Sequence, residues 1–288
     1  MYAVYGWAAT QSRYAIDFWD YLTKTTAVIT TGQANNQIAY NASDEQPGLL
    51  LVYPLVSGTR MRPYAFPINN APSLATLRWM VRDTLNDTET EDSVDLKYPE
   101  SPKWSDRELN AYLQEAVNYY SNFDAAEYII DTDTRLVSPA MFRSVKEVID
   151  VSYYDAVYRE WRVLSQSGRR GQRGGQQSWE MSSGNLKLYG AFQDPTLLQI
   201  RVLVPYRAPV SDLQELTVPY DDWDILSLYA QAKAYVRLAG QSAQLDRFKE
   251  EGKRNDNPVT PIARLLMQQV ESRLKDRRGP RVIRRVRG

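Results

Sequence analysis

The stretch KWSDRELNAYLQEAVNYYS at residues 103–121 decides the reading of the fold. Ser105 and Glu108 form an S-x-x-E capping box, in which each side chain satisfies an orphan backbone N–H of the first helical turn. Trp104 before the cap and Leu109 at the fourth helical position match a hydrophobic staple. Leu109, Tyr112, Leu113, Ala116, Val117 and Tyr120 then follow at i, i+3, i+4, i+7, i+8 and i+11, one continuous apolar stripe. A stripe of this kind needs a partner, so the helical parts of the chain are expected to pack on each other.

Working outward, Leu74, Leu77, Val81 and Leu85 repeat at helical spacing, with Ser73 as their cap. Residues 86–103 read as a polar, acidic linker containing Pro99 and Pro102. Residues 83–133 as a whole are acidic, with Asp83, Asp87, Glu89, Glu91, Asp92, Asp95 and Glu100 facing few basic partners. After Pro219, Asp221 or Asp222 caps a long helix carrying Ile225, Leu228, Tyr229, Ala232, Val236 and Ala239. Thr260 with Pro261 at the first helical position starts another, through Ile262, Leu265, Leu266 and Val270, which Gly279 and Pro280 stop.

Between the helical parts the period changes. Residues 145–153, 158–164, 185–189 and 197–206 read as strands, rich in β-branched and aromatic residues. GRRGQRGGQQ at 168–177 reads as a flexible loop, and Ser183-Gly184-Asn185 as a tight turn. Upstream, TTAVITT at 25–31 and GLLLVYPLV at 48–56 look strand-like. Asp131 and Asp133 within DTDT lack the spacing of a calcium loop and read as turn or capping residues.

The pattern predicts an α+β chain. Its centre is an antiparallel helical bundle of four main helices with an inserted antiparallel β-sheet domain, plus a β-rich or irregular N-terminal extension. The expected divisions are an extension over 1–71, a first helical half over 72–136, a β domain over 137–210, a second helical half over 211–276 and a basic tail over 277–288.

The sequence has no cysteine and no histidine. That excludes disulfides, zinc thiolate sites and Ser-His-Asp chemistry, leaving only carboxylate, lysine or tyrosine chemistry. No carboxylate pair stands out at a glycosidase-like spacing, so a tail hydrolase is the weaker alternative. No secretory leader and no membrane-spanning segment are read, and no cofactor, metal or catalytic residue is called for. Net charge is zero, which argues against a non-specific nucleic-acid binder, but it is unevenly spread. From Arg273 the chain reads RLKDRRGPRVIRRVRG, eight basic residues against one acid. Arg277, Arg278, Arg281, Arg284, Arg285 and Arg287 interleave with Val282, Ile283 and Val286. Such a segment fits an acidic protein groove, which it can enter as an added strand. Arg169, Arg170 and Arg173 in the glycine-rich loop, flanked by Trp161 and Trp179, form a second candidate contact surface. Trp104 and Trp223, at helix starts, read as core or staple residues.

TLRWMVRDTLND (76–87), KWSDRELNAYLQEAVNYYS (103–121), QIRVLVPYRAPV (199–210) and VPYDDWDILSLYAQAKAYVRLA (218–239) together resemble the head–tail connector, or adaptor, proteins of tailed bacteriophages. The resemblance covers roughly residues 73–288. It implies a non-enzymatic virion protein of the neck that forms a homo-oligomeric ring, usually of twelve copies, under the portal protein. The C-terminal segment would dock on the portal, the other face would receive the next neck or tail protein, and genomic DNA would pass through the channel. A stopper or tail-completion protein is the neighbouring alternative. The first seventy or so residues have no counterpart in the usual short adaptor.

Overall fold

The computed structural model describes residues 2–41, 46–87, 96–98, 102–167, 177–192, 195–246, 259–276 and 283–287. It divides into two compact units, residues 1–117 with 207–277, and residues 118–206 with 278–288.

The first unit begins with strands β1 (Tyr2–Gly6), β2 (Tyr14–Asp20), β3 (Thr25–Gln33), β4 (Gln37–Asn41), β5 (Gly48–Val56), β6 (Thr59–Arg60) and β7 (Tyr64–Ile68). Helix α1 (Leu74–Thr84), strand β8 (Leu96–Lys97) and helix α2 (from Asp106) follow. One sheet has the order β4-β1-β8, with β8 parallel to β1. The other has the order β3-β2-β5-β6, with β7 also paired to β5. The apolar run of β5 is buried on both faces, which explains why it does not alternate. Leu50 and Val52 join the core of Tyr5, Trp7, Tyr14, Ile16, Phe18, Phe66, Ile68 and Trp79. Leu49 and Leu51 join a second cluster with Tyr21, Ala65, Ala71 and Ala75. At the start of β5, Gly48 lies so close to β2 that a Cβ would stand 2.3 Å from the Phe18 ring.

Helix α1 starts where Ser73 Oγ accepts from the Thr76 N–H at 3.1 Å. Its partners are both a strand and a helix, β7 and the later α3 (Trp223–Asp246). Trp79 stacks on Phe66 with ring centroids 5.6 Å apart and donates from Nε1 to the Ala65 carbonyl at 3.0 Å. The capping box of α2 is formed: Ser105 N–H donates to Glu108 Oε2 at 3.0 Å, and Glu108 N–H to Ser105 Oγ at 3.3 Å. Trp104, Leu109, Leu113, Ala116 and Val117 are all buried. From α2, Glu115 accepts from Tyr229 at 2.9 Å and Lys233 at 2.5 Å of α3, and Glu108 pairs with Arg237. Helix α4 (Val259–Asp276) packs on α3 and buries Ala263, Val270 and Leu274 along one face.

The second unit holds β9 (Ala126–Asp133), β10 (Glu147–Asp155), β11 (Glu160–Val163), β12 (Ser165–Gln166), β13 (Ser178–Ser182), β14 (Asn185–Tyr189), β15 (Leu197–Val204) and β16 (Ile283–Arg287). One sheet runs β11-β10-β15-β9-β16 and a smaller one β12-β13-β14. Their shared core gathers Val148, Val151, Leu164, Trp179, Leu186, Leu198, Ile200 and Val202, with Phe142 from a short 3-10 turn at Pro139–Phe142.

The expected helical bundle with an inserted sheet domain is not what forms. Among the described residues there are four helices against sixteen strand segments in four sheets, so the chain is mixed α+β and mostly sheet. The reason lies in the N-terminal residues. They are no extension: β1 to β7 build two sheets, and β7 supplies the apolar surface that covers α1. The sequence reading assumed that an amphipathic helix must be covered by helices alone. The acidic linker also holds more structure than its composition suggested, because β8 pairs with β1 and Asp87 is buried.

Candidate functional site

The candidate docking edge is built on β9, whose sequence AEYIIDTD carries three acids and no base. Its register with β15 is unbroken from Ala126–Val204 to Asp133–Leu197. Tyr128 and Ile130 pack on the core of the unit, so by strand alternation Glu127, Ile129 and Asp131 lie on the opposite face. There Arg201 of β15 donates from Nε to Glu127 Oε1 at 2.8 Å and from Nη1 to Asp150 Oδ2 at 2.9 Å. One cation thus ties two carboxylates of β9 and β10 into a polar layer over the sheet. Asp133 ends the strand: its Oδ1 accepts from the N–H groups of Arg135 at 2.8 Å and Leu136 at 3.1 Å. Asp131 lies inside β9, opposite Gln199, rather than in a turn.

The other edge of β9 is taken by β16, in parallel. The register sets Ile283 opposite Glu127, Arg284 opposite Tyr128, Arg285 opposite Ile129, Val286 opposite Ile130 and Arg287 opposite Asp131. A strand of sequence IRRVR therefore lies on the acidic strand of its own chain. Arg277, Arg278, Arg281 and Val282, named with this segment, lie outside the described residues, as do Arg169, Arg170 and Arg173.

The two tryptophans expected beside the arginine loop separate. Trp179 is 2% exposed and belongs to the core of the second unit, so it offers no contact surface. Strand β13 alternates, and the position of Trp179 on its inner face could be read only with the pairing to β14 in hand. Trp161 sits on the edge strand β11 at 42% exposure, edge-to-face with Tyr154 at 5.6 Å. Val157, Tyr158 and Val163 beside it are more exposed still, and the Arg162 guanidinium lies 4.2 Å from the Tyr158 ring centroid.

Sequence reasoning missed a buried ionic network in the first unit. Arg78 and Arg82, 2% and 1% exposed, lie one turn apart on α1. Arg78 donates to Asp212 through both terminal nitrogens, at 2.8 and 2.9 Å, and to Asn110 at 2.9 Å, with Nε 3.1 Å from Asp106. Arg82 donates to Asp106 and to the Trp104 carbonyl at 2.9 and 2.8 Å and pairs with Asp87. Asp87 in turn accepts from the Lys103 N–H at 2.8 Å, so it closes both ends of the linker. Burial works against the charge of Asp106, but the two guanidiniums beside it outweigh that and hold its carboxyl below the usual range. Burial pushes the nearby Tyr98 phenol well up. The signal available was two arginines at i and i+4 within an apolar helix, a spacing that places both on one face.

Among the described residues no group of three or more acidic side chains is placed to hold a metal ion. Among them, too, no helix is long and apolar enough to cross a membrane. No family model matches the chain, and no curated protein matches it.

Proposed function

We propose that the chain is a structural adaptor of a tailed-phage neck. In this reading it forms a ring under the portal, joins the portal to the next neck or tail protein, and leaves a channel for DNA. The observation that carries it is the basic C-terminal segment seated as an added strand on an acidic strand. Such a segment has the backbone geometry of a β-augmenting ligand, where main-chain hydrogen bonds supply affinity and alternate side chains supply register. The exposed apolar hairpin around Trp161 supports an assembly role as well, since contiguous exposed apolar residues on a monomer mark interaction sites.

The test is native mass measurement of the purified chain mixed with the portal ring of the same phage. The full chain is expected to add in a ring-sized multiple, and the chain cut after Asp276 is expected not to bind. Equal binding by the truncated chain, or no binding by the full one, would count against the proposal.

A further inference from the structure

Resting on that docking reading, we infer that β9 is itself the acceptor site for the C-terminal strand, and that its occupancy in cis competes with docking. The edge that β16 covers belongs to a sheet already complete without it. β9 is paired along all eight residues to β15, and β16 touches that sheet through β9 alone. The pairing is parallel and five residues long, the weaker kind of ladder and a short one. Charge favours it all the same: β16 carries three arginines and no acid, and the five β9 residues it pairs with include Glu127 and Asp131 and no base. A strand held by one neighbour only, at the edge of its sheet, is the arrangement from which exchange into another acceptor costs least.

The free protein is then self-capped. Docking on an outside acceptor requires β16 to leave β9, and the apparent affinity falls by the fraction of molecules in which the segment is free. A cap occupied in 90 to 99% of molecules weakens docking roughly 10- to 100-fold. Leaving also uncovers the edge of an acidic strand in the second unit.

The chain has no cysteine, so a thiol pair can be installed without background. Ile129 and Arg285 stand opposite each other in the register, at a position of β9 facing away from the core. In the variant Ile129→Cys with Arg285→Cys, a short bis-thiol cross-linker is expected to join the two within one chain, leaving a monomer mass plus one linker. Failure to cross-link, or links formed only between chains, would overturn the cis seat. The linked protein is expected to bind the portal ring at least tenfold more weakly than the same variant unlinked. Equal binding would overturn the competition. Asp131→Lys sets a like charge opposite Arg287; it is expected to tighten docking several-fold and to speed amide exchange in 283–287. Unaltered exchange and docking would count against the cap. If the unlinked protein does not bind the portal at all, the adaptor reading fails and the competition with it. The cross-link result still decides the cis pairing.

Discussion

Replacing Asp106 by asparagine keeps the shape of the network in the first unit and removes its central charge. Asp106 lies within 3.1 Å of Arg78 and 2.9 Å of Arg82, both almost fully buried. Removing one partner of a buried pair typically costs about 3 to 5 kcal/mol, because the charge left behind has already lost its water. Asp212 still faces Arg78 and Asp87 still faces Arg82, so the lower end applies, about 3 kcal/mol. For a unit of this size that corresponds to a melting point roughly 6 to 12 °C lower. The dependence on pH has a definite sign. The two arginines depress the folded carboxyl, so its contribution is fully present above the ordinary carboxylate range of about 4. It is lost as pH falls from there through the depressed folded value. The gap between the natural chain and Asp106→Asn should therefore be widest near neutral pH and shrink in acid. Denaturant unfolding followed by tryptophan fluorescence, from neutral pH downward, measures both quantities. A gap below about 1 kcal/mol, or one that does not narrow in acid, would refute the assignment of Asp106 as the charge that holds the two arginines.

Trp179→Ala is expected to cost about 3 to 5 kcal/mol in the second unit and Trp161→Ala under about 1, read by the same unfolding assay, because only the first empties a core site. Gly48→Ala drives a Cβ against the Phe18 ring and the Trp19 carbonyl, and should destabilise by about 1 to 3 kcal/mol in calorimetry. Lys146→Met removes a cation whose Nζ donates to the Ser121 carbonyl at 3.0 Å and the Asn122 carbonyl at 3.2 Å, near the C-terminal end of α2 (Asp106–Phe123). A loss of about 1 kcal/mol is expected, and none would show that water satisfies those carbonyls as well.

The elements with local signals were legible. Ser105 with Glu108, Ser73 with Thr76, and the apolar run of β5 each announce themselves within a few residues. What was lost depends on pairing between distant residues. Strand β9 holds DTDT, which reads as a turn until β15 supplies a full antiparallel partner. Strands β1, β2 and β4 are aromatic and polar by turns, and only their packing with Phe66 and Trp79 makes them core. Asp87 reads as one acid among many in a linker until Arg82 is found beneath it. The bundle failed for the same reason. A helical stripe states how much apolar surface must be covered but not whether a sheet or a helix covers it. Of the candidate site, the basic segment was legible from charge and alternation. The acidic strand it lies on was not, because nothing local joins residues 127 and 283.

The bond between Arg78 and Asp212 spans 134 positions of sequence. During synthesis at about 5 to 20 residues per second, α1 would wait on the order of ten seconds for that carboxylate to be made. The strands before α1 would be finished by then, while the buried arginine still lacked its bidentate partner. The first unit is thus both the first begun and among the last completed, with the second unit made in between. A rare-codon pause or a truncation between residues 118 and 206 would leave the first unit holding its sheets without α3 or α4. Misfolding during translation should concentrate there.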